Sequence, residues 1–358
     1  MKKIIRYIGS KEKLIDFLEE NIFNEFKDKK INFFDGFSGS TFVSKYCHDK
    51  YDWNITLSDI SKYTEILSSR LNISNCSLEV IETAKNLQYV DGIEGIISKE
   101  FSIGGVPSNY TENFYKTNGS RMFFSKEVGN KIDNMRNTAK DLYLTKKINI
   151  DELNFILMIT IGFADKNANT TSVYGAYLKN QINNTKYIKD DFFELLIKER
   201  DNKKSVKFIS GSIIDSLNKI EQMDVIYLDP PYNTRKYESN YHILNYIADI
   251  NFESKMIKNN SKTALPLLVP QNLFGSKKGT IQIFEEMIIK SVNKSKNVFI
   301  SYSTDGELSV KEVLAICDNN NILCEVYYKD YKRFKANDTN NNKELKEIIF
   351  KLKGNYNG

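Results

Sequence analysis

Apolar residues in this chain alternate between two spacings. Short runs at 31–34, 55–57, 206–209, 225–228, 298–302, 322–328 and 348–352 have the length of strands. The run at 225–228 is apolar at every position, as a strand covered on both faces of a parallel sheet must be. Helical spacing appears first in Leu14, Phe17, Leu18, Ile22 and Phe26. It returns around 241–250, 281–292 and 309–319, and the apolar stretch 155–164 reads as a buried helix. The region 61–204 carries no strand pattern. It is expected to be mainly helical, with Gly/Ser/Asn-rich interruptions such as Gly104-Gly105-Val106-Pro107-Ser108-Asn109.

Strands separated by helices at both ends of the chain predict one doubly wound α/β sheet, with the helical region inserted into it. On this reading 1–60 and 205–358 form the sheet domain and 61–204 a helical subdomain. An insertion of that size is tolerable if it packs around a core of its own.

Composition narrows the class. A chain of 358 residues accommodates one large domain or two ordinary ones, and 41% hydrophobic with 27% charged content fits a water-soluble globular protein. The net charge of +5 is mild, so any nucleic-acid binding must use a local patch. Cys47, Cys76, Cys317 and Cys324 show no metal-binding spacing, and two histidines are too few for a histidine metal centre. Neither a signal peptide nor a membrane-length apolar run is visible. The expectation is a cytoplasmic protein with no membrane association.

The chemistry concentrates at strand ends. The run 225–228 stops at Asp229-Pro230-Pro231-Tyr232. Ligands bind at the carboxyl ends of strands in open α/β sheets. One carboxylate, two carbonyls aimed by fixed proline geometry and one aromatic face suit a planar ring bearing an NH2 group. A plain strand-to-turn junction is the alternative, but only five prolines serve the whole chain and two stand here. The first strand ends in Asp35-Gly36-Phe37-Ser38-Gly39-Ser40. This glycine turn lets a ligand approach the backbone, yet it has neither the dinucleotide fingerprint nor a P-loop. About twenty residues on, Asp59-Ile60 closes the second strand, where a carboxylate can take both hydroxyls of a ribose. An acid suited to an ammonium tail and an acid suited to a ribose describe a pocket for S-adenosylmethionine (SAM). Asp215 either accepts from the cofactor's adenine amine or caps a helix.

Three stretches resemble the motifs of the Dam-like, alpha-group N6-adenine DNA methyltransferases: Arg6-Tyr7-Ile8-Gly9-Ser10-Lys11, residues 35–41, and Asp229-Pro230-Pro231-Tyr232. Arg121-Met122-Phe123-Phe124, residues 169–179, and the run from Asn233 to His242 resemble the stand-alone modification methylases within that group. The resemblance implies SAM contacts at Tyr7 and Lys11, Asp59 on the ribose, and Asp229 bridging cofactor and target. It departs at Thr41, where the family carries a second turn glycine, and at Tyr7, where the Dam proteins carry Trp.

The expected mechanism is methyl transfer to a flipped-out adenine in double-stranded DNA, with Asp229 and the Pro230 carbonyl accepting from N6 and Tyr232 stacking on the base. Asn233, Arg235, Lys236 and Tyr237 would hold the opened strand, or else form an ordinary loop entering a helix. Within 61–204 the cations Arg121, Lys126, Lys131, Arg136, Lys140, Lys146, Lys147, Lys166, Lys179 and Lys186 are candidates for DNA contact, or form a solvated surface. His242 is expected to pack within its helix. Adenine in ribosomal RNA, cytosine N4 and a glutamine amide present a similar NH2, but the leading Asp229 favours DNA adenine. A silent DNA-binding subunit has no chemical reason to keep Asp229, Pro230, Tyr232, Asp59 and Gly39 together. A separately encoded restriction endonuclease is implied by the family association alone.

Overall fold

All seven predicted strands form, and they join in one sheet. A computed structural model describes residues 2–179, 184–202, 204–232, 237–257, 262, 264, 277–330 and 345–354. The strands are β1 (Asn32–Gly36), β2 (Asn54–Asp59), β3 (Lys207–Ser210), β4 (Val225–Leu228), β5 (Val298–Ser303), β6 (Leu323–Asp330) and β7 (Lys346–Lys353). Their spatial order is β3-β2-β1-β4-β5-β7-β6. The pairs from β3 to β5 are parallel, and β7 runs antiparallel to both β5 and β6. The strand order reverses between β1 and β4, which makes that crevice the switch point where ligands bind in sheets of this kind.

The chain divides into two compact units. The sheet unit contains 10–60, 206–236 and 271–358. Its central strands β4 and β5 are buried at every position, whereas β6 alternates between half-buried and exposed residues, as an edge strand does. Phe34, Ile226, Leu228, Phe284, Ile300, Tyr302 and Phe350 belong to its core. Ser212 caps a helix, Ile213–Lys219, that the apolar pattern did not announce; its hydroxyl accepts from the Asp215 amide at 3.2 Å. The predicted first helix is shorter than its apolar stripe. Ile22 leaves helical geometry, splitting the stripe into Ile15–Asn21 and a 3-10 turn, Phe23–Glu25.

The helical unit contains 1–9, 61–205 and 237–270. It takes in two segments that the strand pattern assigned to the sheet domain. At its centre lies the helix Ile150–Asn167, buried almost continuously and started by a reciprocal cap between Asn149 and Glu152. Helices Lys62–Ser68, Leu78–Leu87, Lys126–Leu144 and Tyr237–Ala248 pack around it. Tyr7 and Tyr241 explain why both extra segments belong here. Their rings stack at 5.1 Å, and the Tyr241 hydroxyl accepts from the Ile8 amide at 2.8 Å.

Candidate active site

Three carboxylates mark the ends of three adjacent strands in the sheet unit: Asp59 on β2, Asp35 on β1 and Asp229 just past β4. Asp35 is buried and accepts a hydrogen bond from the Ser44 hydroxyl. Burial pushes its carboxyl up to about 7, against that hydrogen bond, and the charges of Asp229 and Asp59 add to the rise. Burial also raises Asp229, while the Lys11 ammonium, 3.0 Å from its Oδ1, pulls it back. Such a cluster is short of positive charge and fits a cationic ligand.

The turn between β1 and the helix Phe42–Lys50 is folded tightly against β2. Phe37, Gly39 and Thr41 all have positive φ, at 72°, 48° and 60°. The amides of Phe37 and Ser38 donate to the Ser58 carbonyl, each at 3.0 Å, and the Gly39 amide donates to the Asp59 carboxylate at 2.9 Å. Asp59 is therefore oriented by the turn it faces. Thr41 adopts the left-handed conformation that glycine takes without strain; a β-branched residue there is a true outlier. Ser40 is half-buried beside it, and Ile60 lies exposed beyond β2.

Asp215 sits in the first turn of its helix, where its carboxylate accepts from the Ser212 hydroxyl at 2.7 Å. The helix cap is the Ser212 hydroxyl, which Asp215 helps to hold in place. In the opening motif, Tyr7, Ile8 and Gly9 belong to the helical unit, and Ser10 and Lys11 to the sheet unit. Ser10 precedes a 3-10 turn, and Lys11 is buried.

The Asp-Pro-Pro-Tyr segment begins with the Asp229 amide donating to the Gly36 carbonyl at 3.3 Å, which ties the motif to β1. Pro230 is buried and Pro231 half-buried. Tyr232 differs from the sequence expectation of an aromatic face offered to a ring. It is buried, edge-on to Tyr302 at 5.1 Å, and the Lys11 ammonium lies 4.6 Å from its ring centre. Its hydroxyl accepts from Lys11 and faces Asp229 Oδ1 at 3.0 Å, Ser301 Oγ at 3.3 Å and Glu347 Oε2 at 3.3 Å. Neither Ser301 nor Glu347 was singled out from the sequence. A single glutamate heading an apolar strand gives no signal of its own.

The DNA-contact expectation at Arg121 is corrected. Its guanidinium is fully buried, paired with Glu100 at 2.8 Å, bonded to Asn109 at 2.9 Å and stacked on Tyr110. It organises the interior of the helical unit and offers no charge to a ligand. Three more of the expected surface cations turn inward. Lys131 donates to the Val90 carbonyl, Arg136 to Asp249 and Lys140 to Ile250, the last two closing the end of the helix Tyr237–Ala248. Asn233, Arg235 and Lys236 lie outside the described residues, as does the Tyr237 side chain.

The described parts of the stretches that suggested a modification methylase converge in the helical unit. Asn169 donates to the carbonyls of Met122 and Leu178, the Tyr174 amide donates to the Asn240 carbonyl, and Phe123 packs against Tyr177 and His242. His242 bonds the Ser239 carbonyl at 2.9 Å within its own helix. Among the described residues no helix is long and apolar enough to cross a membrane.

A sheet of this order ending in an Asp-Pro-Pro-Tyr at its switch point is the architecture of a methyltransferase acting on an amino group. Residues 7–272 match the model of the D12 class N6 adenine-specific DNA methyltransferases. The type II methyltransferase M.NlaIII of Neisseria lactamica is 31% identical over 355 residues, covering 94% of each chain. M.CviAII of Paramecium bursaria Chlorella virus 1 is 29% identical over 349 residues, covering 97% of each. M.FokI of Planomicrobium okeanokoites is 30% identical over 358 residues; these are 97% of this chain and 52% of M.FokI. The chain belongs to the D12 class of N6 adenine-specific DNA methyltransferases.

Proposed function

We propose that the enzyme uses SAM to methylate N6 of an adenine flipped out of duplex DNA, as the modification arm of a restriction-modification system. The observation that carries this reading is the row of Asp59, Asp35 and Asp229 across the switch point. When bound, SAM supplies an electrophilic methyl on a cationic sulfonium, and its positive charges suit a site crowded with acids. Asp35 answers the ammonium end, Phe37, Ser38, Gly39 and Ser40 frame the methionine portion, and Asp59 takes the ribose hydroxyls. Tyr7 to Lys11, Ile60 and Asp215 complete the proposed cofactor contacts.

The N6 lone pair is delocalised into the adenine ring, so the nitrogen attacks only as it becomes tetrahedral. Asp229 and the Pro230 carbonyl accept from its two hydrogens, favouring that geometry and stabilising the positive charge that develops. Neither group has to be a strong base, because the proton can leave after transfer. Holding the attacking nitrogen in line with the methyl supplies much of the remaining acceleration. Stacking on Tyr232 requires its ring to turn from Tyr302. Asn233, Arg235, Lys236 and Tyr237 follow the motif directly and are proposed to hold the opened strand.

The names of M.NlaIII, M.CviAII and M.FokI, all type II methyltransferases, support the restriction-modification setting, with a separately encoded endonuclease as partner. The test is incubation with methyl-labelled SAM and, separately, unmethylated duplex DNA, RNA and protein, followed by digestion. N6-methyladenine in the DNA is the expected product; label confined to RNA, protein or cytosine overturns the reading.

A further inference from the structure

Lys11 holds one of the groups that the proposed mechanism reserves for the target base. Its ammonium bonds Asp229 Oδ1 at 3.0 Å, one of the two oxygens to which an adenine amine could donate, and sits at the hydroxyl edge of the Tyr232 ring, 4.6 Å from its centre. It also bonds the Tyr232 hydroxyl. If Asp229 turns towards a base, the buried Lys11 ammonium needs another anion within reach.

That anion is present. Glu347, at the start of β7 and opposite Ser303 of β5, is buried with Oε2 3.9 Å from the Lys11 nitrogen. The same oxygen is 3.3 Å from the Tyr232 hydroxyl, whose single proton can go to Asp229, to Ser301 or to Glu347. Both groups that engage Asp229 can therefore turn to the same second carboxylate. No step described so far uses it.

We propose that Glu347 is a positioning residue. It takes over the Lys11 ammonium when Asp229 turns to the target amine, so that the buried charge keeps a counter-ion. This rests on the role given to Asp229 above. Without the Glu347 charge, Lys11 stays on Asp229 and keeps one of its two oxygens from the base.

The test is single-turnover methylation of DNA lacking N6-methyladenine, with the parent, Glu347→Gln, Glu347→Asp, Lys11→Met and the Lys11→Met/Glu347→Gln double variant. The parent rate, and its loss in Asp229→Ala, examine the Asp229 reading separately. Glu347→Gln is expected to slow transfer at least tenfold while its dissociation constant for SAM, from equilibrium dialysis, stays within twofold. Glu347→Asp, which keeps the charge, should recover part of the rate. With Lys11 removed, the further effect of Glu347→Gln should shrink below threefold. A Glu347→Gln rate within twofold of the parent, an equal loss in both backgrounds, or a loss that follows SAM affinity overturns the proposal.

Discussion

Replacing Asp35 with Asn should stabilise the ligand-free protein at neutral and alkaline pH. In the folded chain the Asp35 carboxyl titrates at about 7 against an ordinary value of 3.8, chiefly because it is buried. Between those values the folded state holds a proton that the unfolded chain has released, so stability falls as pH rises. At ~1.36 kcal/mol per unit over that interval, the accumulated loss above pH 7 is about 4 kcal/mol. Asn keeps the shape and still accepts from the Ser44 hydroxyl, but it carries no proton to lose. Urea unfolding from pH 5 to pH 8.5 should show the variant gaining on the parent with each unit up to neutrality, then running parallel to it. Cation binding at the cluster favours the carboxylate, so SAM added near pH 6 should expel up to one proton from the parent and none from the variant. Calorimetry in buffers of different ionisation enthalpy reads that difference. Parallel stability curves across the whole range would refute the assignment of this titration to Asp35.

Other substitutions separate structure from chemistry. Asp229→Ala should lower methyl transfer by roughly 10²–10³-fold or more while the unfolding midpoint stays near that of the parent, since it removes a group aimed at developing charge; retained turnover would exclude Asp229 from catalysis. Arg121→Met leaves the buried Glu100 carboxylate without its counter-ion and should cost about 3–5 kcal/mol, measured by chemical denaturation. A fall in DNA affinity with unchanged stability would instead return Arg121 to the DNA interface. Thr41→Gly relieves a left-handed β-branched residue and should gain on the order of 1 kcal/mol after the added freedom of the unfolded chain is counted. A loss of stability would mean that the Thr41 methyl packs better than the strain costs.

What could be read from the chain follows the range of each interaction. All seven strands were legible because each is a continuous or alternating apolar run whose cause lies within a few residues. The Asp-Pro-Pro-Tyr and the glycine turn were legible for the same reason: each motif is a contiguous stretch at a strand end. The break at Ile22 and the helix begun by Ser212 were not, since the first interrupts an intact apolar stripe and the second shows only a cap and one turn. The cations failed for a different reason. A lysine or arginine is assumed solvated unless its partner is visible. The partners of Arg121, Arg136 and Lys140 are 21, 113 and 110 residues away in the chain. Glu347 is reached from Tyr232 across 115 residues, a juxtaposition that only the sheet order creates.

Residues 1–9 and 237–270 join the helical unit from either side of segments of the sheet unit, which limits how the helical unit can be transplanted. Exchanging 61–204 alone between two such enzymes would part Tyr241 from Tyr63, Arg136 from Asp249 and Lys140 from Ile250, leaving unmatched surfaces in the middle of a packed unit. A graft meant to fold must carry three pieces of chain and splice them at 9/10, 60/61, 205/206, 236/237 and 270/271. Natural recombination faces the same geometry: one crossover cannot deliver the helical unit intact.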